Sequence, residues 1–473
     1  MPELVAHSAP VATHSYDLIV IGGGKAGKSL AMNRAAAGWR VAMIERQYIG
    51  GTCINVACIP TKTLVTSARR LLEAQSNDEY GVVGTDTARI DLAGLRERKE
   101  GVVGAMVGAH EKMFAADGLD FMRGNARLES DRWVSVDLED GSHRRIHAER
   151  ILLNVGSRPS LPPIEGLSEV GAWTNEDILR LESLPKSLAI IGGGYIGVEF
   201  ASMMSIFGVD VTVISSSDHV LPREDADIAG VVEDGLASQG VTIVHGVRAE
   251  SVSRKNNQTT VVLSDGSSVT ADELLVATGR TPNTDGLGLE EAGVSVDDRG
   301  FIIVNEHLRT SVEGVWAAGD AAGSPMFTHA SWNDFRVIRA QFEGADLSDP
   351  QATTRGRLIP YSVFTTPELA RIGLSEEDAH AEGHDVLVAS IPVAQVPRAK
   401  TLGHTEGVWK AVVDAQTHRI LGMTLVGPES SEVISVVQVA MAAQMTAQQL
   451  RYLPFSHPTM AEGLQILLDQ FKF

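Results

Sequence analysis

The chain has 473 residues, of which 44% are hydrophobic and 21% charged; this is enough for several domains with buried cores and excludes a disordered or low-complexity chain. Asp and Glu outnumber Lys and Arg by 60 to 40, a formal net charge of −20, which argues against duplex nucleic acid or an anionic membrane as a partner. Aromatics are only 5% while glycines number 46, a composition of tight turns and close backbone approaches rather than of stacking platforms.

Residues 1–15 contain Glu3 and two histidines but no Lys or Arg and no long apolar run, so they read as a flexible tail and not as an export signal. No stretch of about 18 apolar residues occurs, so no transmembrane helix is expected and the default is a soluble cytoplasmic protein. The two cysteines, Cys53 and Cys58, are too few for a disulfide framework. Their closeness in sequence asks for a chemical reason.

Residues 16–30 read as an apolar strand, a glycine turn with Gly22, Gly24 and Gly27, and a helix; residues 187–201 repeat the plan with Gly192, Gly194 and Gly197. In such a turn the first glycine bends the chain, the second admits a pyrophosphate to the backbone, and the third lets helix and strand pack closely. The helix start then offers N–H groups and a positive dipole end to phosphate. One copy is a weak signal; two copies in this setting point to dinucleotide binding at both.

The two copies end differently. The strand over 39–44 stops at Glu45, where a carboxylate can accept hydrogen bonds from an adenosine ribose. The strand over 209–214 ends in Ser215-Ser216-Ser217, with Arg223 a little further on. Serines can donate to a 2′-phosphate that a carboxylate would repel. Two later segments, 273–280 and 314–320, each read as a strand ending in a small-residue turn, at Gly279-Arg280 and Gly319-Asp320. An Asp after such a strand can point at ribityl or phosphate-side hydroxyls; the plain alternative is a buried strand with a turn. From about residue 351 strands over 407–414 and 420–426 and a helix over 431–445 appear with no phosphate loop, the pattern of a separate α+β domain.

Four segments carry chemistry. In Gly50-Gly51-Thr52-Cys53-Ile54-Asn55-Val56-Ala57-Cys58-Ile59-Pro60-Thr61-Lys62, two thiols near one helix start can lie close enough to bridge. A helix N-terminus lowers a thiol pKa, and the position after the first dinucleotide unit points to redox function rather than inert burial. Lys62 lies one helical turn past Cys58, and Glu199, past the second glycine turn, is a candidate partner. His457, in Phe455-Ser456-His457-Pro458, is followed five residues later by Glu462, a carboxylate able to orient an imidazole for acid–base work. Tyr195, inside the second glycine turn, reads either as a movable lid where nicotinamide meets flavin or as a packed aromatic.

This order of two dinucleotide units, a Cys-x4-Cys helix, a Gly-Asp segment and a C-terminal His-Pro-Thr…Glu resembles the flavin-dependent pyridine nucleotide–disulfide reductases, from about Tyr16 to the C-terminus. Gly24-Lys25-Ala26-Gly27-Lys28, residues 52–62, Leu221-Pro222-Arg223-Glu224-Asp225, Tyr361-Ser362-Val363-Phe364, residues 391–398 and residues 457–462 look most like the reactive-chlorine resistance flavoproteins, which include hypothiocyanous acid reductases and a copper(II) reductase. The resemblance implies FAD, held with the help of Gly51, Thr52, Gly156, Arg280, Gly319 and Asp320, and a nicotinamide nucleotide held by the second glycine turn, Tyr195, Ser215, Ser216, Arg223 and Gly279. The serine run lacks both the acid typical of NADH users and the arginines typical of strong NADPH users, and the missing carboxylate at Ser215 favours NADPH, with NADH still usable. The resemblance implies Cys58 as the thiolate under the flavin, Cys53 as the interchange thiol that meets substrate, and Lys62 paired with Glu199 beside the flavin. It implies that His457 and Glu462 serve the opposite subunit of a homodimer.

Ala57 replaces a glycine usual before the second Cys, and Asn154-Val155-Gly156 stands where Ala-Thr-Gly is common. No Cys pair lies at the C-terminus or ahead of Tyr16, which argues against a dedicated mercuric role and needs no resident metal.

The expectation is therefore an α/β protein with two Rossmann-like dinucleotide-binding domains plus a C-terminal α+β dimerisation domain. Its parts are a FAD domain over 16–155, an NAD(P) domain over 156–280, a FAD return segment over 281–350 and a dimerisation domain over 351–473. Electrons would pass from NAD(P)H through FAD to a redox-active Cys53–Cys58 pair, whose dithiol form would reduce a small oxidant, foremost hypothiocyanous acid, with Cu(II) or Hg(II) reduction secondary. The alternatives are a dihydrolipoamide dehydrogenase or other disulfide reductase and a non-catalytic flavin-based redox sensor. A cis bond before Pro458 is expected, because turning His457 into a neighbouring site needs unusual backbone.

Overall fold

The computed structural model describes residues 14–76, 80–85 and 87–473. These residues divide into two units: the first comprises the described residues within 14–60, 100–158 and 280–357, the second those within 61–99, 159–279 and 358–473.

The first unit is built on an eight-stranded sheet. Within it Leu18–Ile21 pairs in parallel with Val41–Glu45 on one side and Ile151–Leu153 on the other. These strands are apolar along their length because both faces are covered. Leu18 and Val20 face Leu30 of the helix Lys25–Ala36 and Phe335 and Ile338 of the helix Thr328–Phe342. Ile19 and Ile21 face the opposite way, into a cluster with Ile44, Val134, Ile146 and Leu289. Val315–Ala317 extends the sheet beside Ile151–Leu153.

One expectation is corrected at the sheet's edge. Of the tail expected over 1–15, residues 1–13 lie outside the described residues, but His14–Tyr16 is a strand paired in parallel with Ile146–Ala148. Ladder hydrogen bonds hold it there, and Tyr16 Oη donates to Asp120 Oδ2 at 2.5 Å.

The second unit contains a four-stranded parallel sheet in the order Thr242–Val244, Asp210–Ile214, Ser187–Ile191, Glu273–Val276. The helices Tyr195–Ile206 and Ala226–Ser238 contribute Val198, Phe200, Ile228 and Val232 to the core beside it. A five-stranded antiparallel sheet, Tyr361–Val363, Leu369–Gly373, Ile420–Val426, Val408–Asp414 and Val386–Pro392, forms the C-terminal part. Its core centres on fully buried Trp409, with Val433 and Val437 from the helix Ser430–Ala442 and Leu464 and Leu467 from the helix Gly463–Leu468. Two glycine-turn α/β sheets and an antiparallel α+β portion are the fold class expected. Among the described residues no helix is long and apolar enough to cross a membrane.

Candidate active site

The first glycine turn is a cradle that side chains would fill. Gly22 has φ +99°, and a Cβ there would lie 2.3 Å from Asn154 O; one on Gly27 would lie 2.2 Å from Gly22 O. Gly24 precedes the helix Lys25–Ala36 and offers no side-chain cap, leaving the helix start open to phosphate. Gly51, at φ +86°, rests so closely on this turn that a Cβ would come 2.8 Å from Gly24 Cα. Glu45 closes the strand as expected. Its Oε2 accepts from Gly23 N at 2.8 Å and its Oε1 from Gln47 N and Tyr48 N at 2.8 and 3.0 Å. These bonds fix the carboxylate and still leave acceptor capacity for a ribose hydroxyl.

Gly156, Arg280, Gly319 and Asp320 belong to the same unit. Arg280 Nε donates to Ser157 Oγ at 2.7 Å, Arg280 Nη2 donates to Ser157 O at 2.7 Å, and the Ser157 hydroxyl in turn donates to Asp320. Asn154 binds this region to the glycine turn, accepting from Gly27 N at 2.9 Å and donating to Ala318 O at 2.8 Å. The residues present fit a bound dinucleotide.

The second glycine turn repeats the geometry. A Cβ on Gly192 (φ +121°) would lie 2.4 Å from Ala277 O, and one on Gly197 would lie 1.9 Å from Gly192 O, whereas Gly194 faces open space. Ser215 stands where Glu45 stands at the first turn. A Cβ on Gly23 would lie 3.3 Å from Glu45 Oε2, and one on Gly193 would lie 2.9 Å from Ser215 Oγ. The Ser215 side chain is turned inward, with its hydroxyl 3.3 Å from both Ser217 N and Ser217 O. Ser216 and Arg223 are exposed, and so is Asp218, a carboxylate the sequence reading passed over. Tyr195 packs its ring 5.4 Å from that of Tyr361. Tyr361 Oη donates to buried Glu224 Oε1 at 2.5 Å, and Arg371 Nη1 lies 3.4 Å from Glu224 Oε2. Burial pushes the Tyr195 hydroxyl up, and so does the nearby Glu224 carboxylate.

The cysteine segment differs from a single helix. Gly51 leads into a one-turn helix, Thr52–Asn55, which ends at Val56 (φ −141°); a second helix, Cys58–Gln75, starts at the second thiol. The two cysteines form no disulfide, and both are half-buried. The Cys53 thiol is held far above its ordinary range, first by its hydrogen bond with Cys58 and then by burial. Two groups oppose the rise: the Thr328 hydroxyl and the Lys28 ammonium. Thr328 Oγ1 also lies 3.5 Å from Cys58 Sγ. Thr328 was not singled out from the sequence and Lys28 appeared there only within a quoted stretch, without a role, since each acts on the thiols from a helix distant in sequence.

In the second unit Lys62 Nζ donates to Glu199 Oε2 at 2.5 Å, while Glu199 Oε1 accepts from Phe364 N at 2.9 Å. Glu199 is buried, so both its oxygens are satisfied where an unpaired charge would be costly. Near the C-terminus His457 Nδ1 lies 2.9 Å from Glu462 Oε2; the imidazole is 69% exposed and the carboxylate largely buried. The bond between His457 and Pro458 is cis, as expected.

A vicinal pair of hydrogen-bonded thiols in a chain with two dinucleotide turns defines a flavoprotein disulfide oxidoreductase. The chain belongs to the pyridine nucleotide-disulphide oxidoreductase family, whose profile matches residues 16–334, with the family's dimerisation domain matching residues 359–467. Members use FAD and a nicotinamide nucleotide. The chain is 39% identical over 463 residues to the probable pyridine nucleotide-disulfide oxidoreductase RclA of Escherichia coli strain K12, covering 97% of this chain and all of that one. A Cu(II) complex of the HOCl-induced flavoprotein disulfide reductase RclA from Escherichia coli has the same fold, with a TM-score of 0.88 at 38% identity over 97% of this chain and 100% of that chain. Identity is 34% to a mercuric reductase of Staphylococcus aureus, over 95% of this chain and 81% of the relative. It is 35% to a dihydrolipoyl dehydrogenase of Thermus scotoductus, over 95% and 96%.

Proposed function

We propose that this enzyme spends the electrons of a nicotinamide nucleotide on a small sulfenyl-type oxidant, foremost hypothiocyanous acid, through the Cys53–Cys58 pair. The observation that carries the reading is the pair itself: two half-buried thiols hydrogen-bonded to each other, in a chain with no other cysteine. There is no second thiol pair to relay electrons to a bulky disulfide or to capture a metal. The likeness to an HOCl-induced reductase supports an oxidant as substrate.

Bound FAD supplies the two-electron connection between the nicotinamide nucleotide and the cysteine pair. The first glycine turn, Gly51, Thr52, Glu45, Gly156, Arg280, Gly319 and Asp320 hold it. The second glycine turn, Tyr195, Gly279, Ser215, Ser216 and Arg223 hold the nicotinamide nucleotide. Lys62, fixed by Glu199, places a cation one turn along the helix from Cys58.

Cys53 is the attacking sulfur. Its thiolate displaces hydroxide from hypothiocyanous acid, forming a Cys53–S–SCN adduct. The partner's His457, oriented by a carboxylate, protonates the departing hydroxide to water. Cys58 then attacks the Cys53 sulfur, expelling thiocyanate and closing the disulfide. Overall, dithiol and hypothiocyanous acid give disulfide, thiocyanate, a proton and water. Cu(II) fits as a secondary acceptor, two ions each taking one electron from the dithiol.

The test is the pair of single-thiol variants. Cys58→Ser should stall at the adduct, visible by intact mass as one thiocyanate added to Cys53, while Cys53→Ser should neither turn over nor form it. Adduct on Cys58 instead would reverse the assignment.

A further inference from the structure

Lys28 has no part in the scheme above, yet its ammonium is buried and its charge acts on the Cys53 thiol. It lies in the first turns of the helix Lys25–Ala36 and is only 4% exposed. Its Nζ donates to Gly50 O at 2.8 Å, and Gly50-Gly51-Thr52 leads straight into Cys53. No carboxylate lies within ion-pair distance of Lys28 among the described residues. A buried cation is normally neutralised by one. The other groups around it are Lys25 on its own helix and His110, whose ring packs against Gly50 from the helix Leu92–Phe114. His110 Nδ1 is 2.7 Å from Met106 O, and burial keeps its pKa below the ordinary histidine value. The groups around Cys53 are Cys58, Thr328 and Lys28.

We infer that Lys28 is the positioning residue that makes Cys53 nucleophilic, its buried ammonium serving as the counter-charge of the Cys53 thiolate while its hydrogen bond to Gly50 holds the turn before Cys53 in place. The inference rests on the reading of Cys53 as the attacking thiol. Two opposing influences meet at that sulfur: Cys58 and burial disfavour the thiolate, and Lys28 is the cation that offsets them. Burial, with Lys25 nearby, lowers Lys28 itself to about 8, so it keeps its proton at neutral pH and loses it not far above. The Cys53 thiolate and the Lys28 ammonium thus stabilise each other, and raising the pH discharges the lysine.

The experiment uses the FAD-loaded Cys58→Ser enzyme, in which Cys53 is the single thiol, and follows its alkylation by iodoacetamide against pH. Lys28→Met removes charge and hydrogen bond. Lys28→Gln removes the charge and keeps a donor, and Lys28→Arg keeps both. The Met and Gln variants should raise the apparent pKa of Cys53 by about one unit, an approximately tenfold slower alkylation at neutral pH, with Arg close to the unsubstituted profile. A Gln profile equal to that of Lys would reduce Lys28 to a tether and overturn the inference. Failure of all three variants to hold FAD would assign Lys28 to folding and overturn it as well. Loss of the Cys53 role itself would appear separately, as turnover that survives Cys53→Ser.

Discussion

At the scale of single residues, the Lys62–Glu199 pair makes the sharpest stability prediction. Glu199 is buried and Lys62 only partly so, so removing the lysine strands a carboxylate with one backbone donor. Lys62→Met should cost about 2 kcal/mol, discounted for the exposed lysine, and Lys62→Met with Glu199→Gln should recover part of it. Thermal melting of the three variants checks this. On the proposed reading, coenzyme choice turns on Ser215. Its place at the second turn matches that of Glu45 at the first, and a carboxylate there would repel a 2′-phosphate and gain a ribose bond. Ser215→Glu should therefore move preference toward NADH by about tenfold or more in kcat/KM, whereas a wild-type enzyme already tenfold better with NADH would contradict the reading. The sequence displayed the cysteines, Glu45, His457 and Glu462 because spacing and motif mark them. It did not display Thr328 or Lys28, whose chemistry exists only through packing. The available hint was a lysine directly after the third glycine, on a helix whose next residues are all apolar or small.

At the scale of elements, the glycine turns were legible because their geometry is dictated by backbone contact. Gly197→Ala would drive a Cβ to 1.9 Å from Gly192 O, opening the second turn alone. FAD content should stay near one per subunit, while KM for the nicotinamide nucleotide rises by about tenfold or more. Equal loss of FAD would contradict separate sites. The break at Val56 between two helices had a sequence signal that the cysteine spacing overshadowed: Pro60 has no N–H to donate to Val56 O, and it sits in the first turn of the second helix. A second element-scale prediction concerns Lys410, on the strand Val408–Asp414, which lies 3.1 Å from Asp225 and 2.7 Å from Glu376. Burial opposes ionisation of Asp225, but the N–H groups of Glu377 and Glu376 and the Lys410 ammonium overcome it and hold the carboxyl below its ordinary value. A carboxyl lowered on folding adds stability above its unfolded pKa and loses it as pH falls through the folded one. Lys410→Met should thus cost about 2 kcal/mol at neutral pH, with the gap to wild type closing in acid. A gap that stays constant down to acid unfolding would contradict this account.

At the scale of the whole molecule, the exposed, carboxylate-oriented His457 and the dimerisation domain over 359–467 lead to one prediction about assembly. If the partner's His457 serves Cys53, a mixed dimer of Cys53→Ser and His457→Ala subunits has one intact site and should recover about half of wild-type turnover, though each parent is inactive or nearly so. No recovery would place His457 in its own subunit's chemistry or outside it. The strands and helices behind these units were legible from apolar runs and period. The division into two units was not, because residues 61–99 join the second unit through contacts such as Leu64 and Val65 with Met203 and Met204, which no local pattern announces.

The most direct test of the central claim is a steady-state comparison of acceptors on the FAD-loaded enzyme: hypothiocyanous acid, lipoamide and glutathione disulfide, with NADPH and NADH in turn. A thiol pair that meets a small oxidant directly should give hypothiocyanous acid the highest kcat/KM, and Cys53→Ser should abolish that turnover. Lipoamide as the best acceptor by a wide margin would make the enzyme a dihydrolipoamide dehydrogenase and contradict the account.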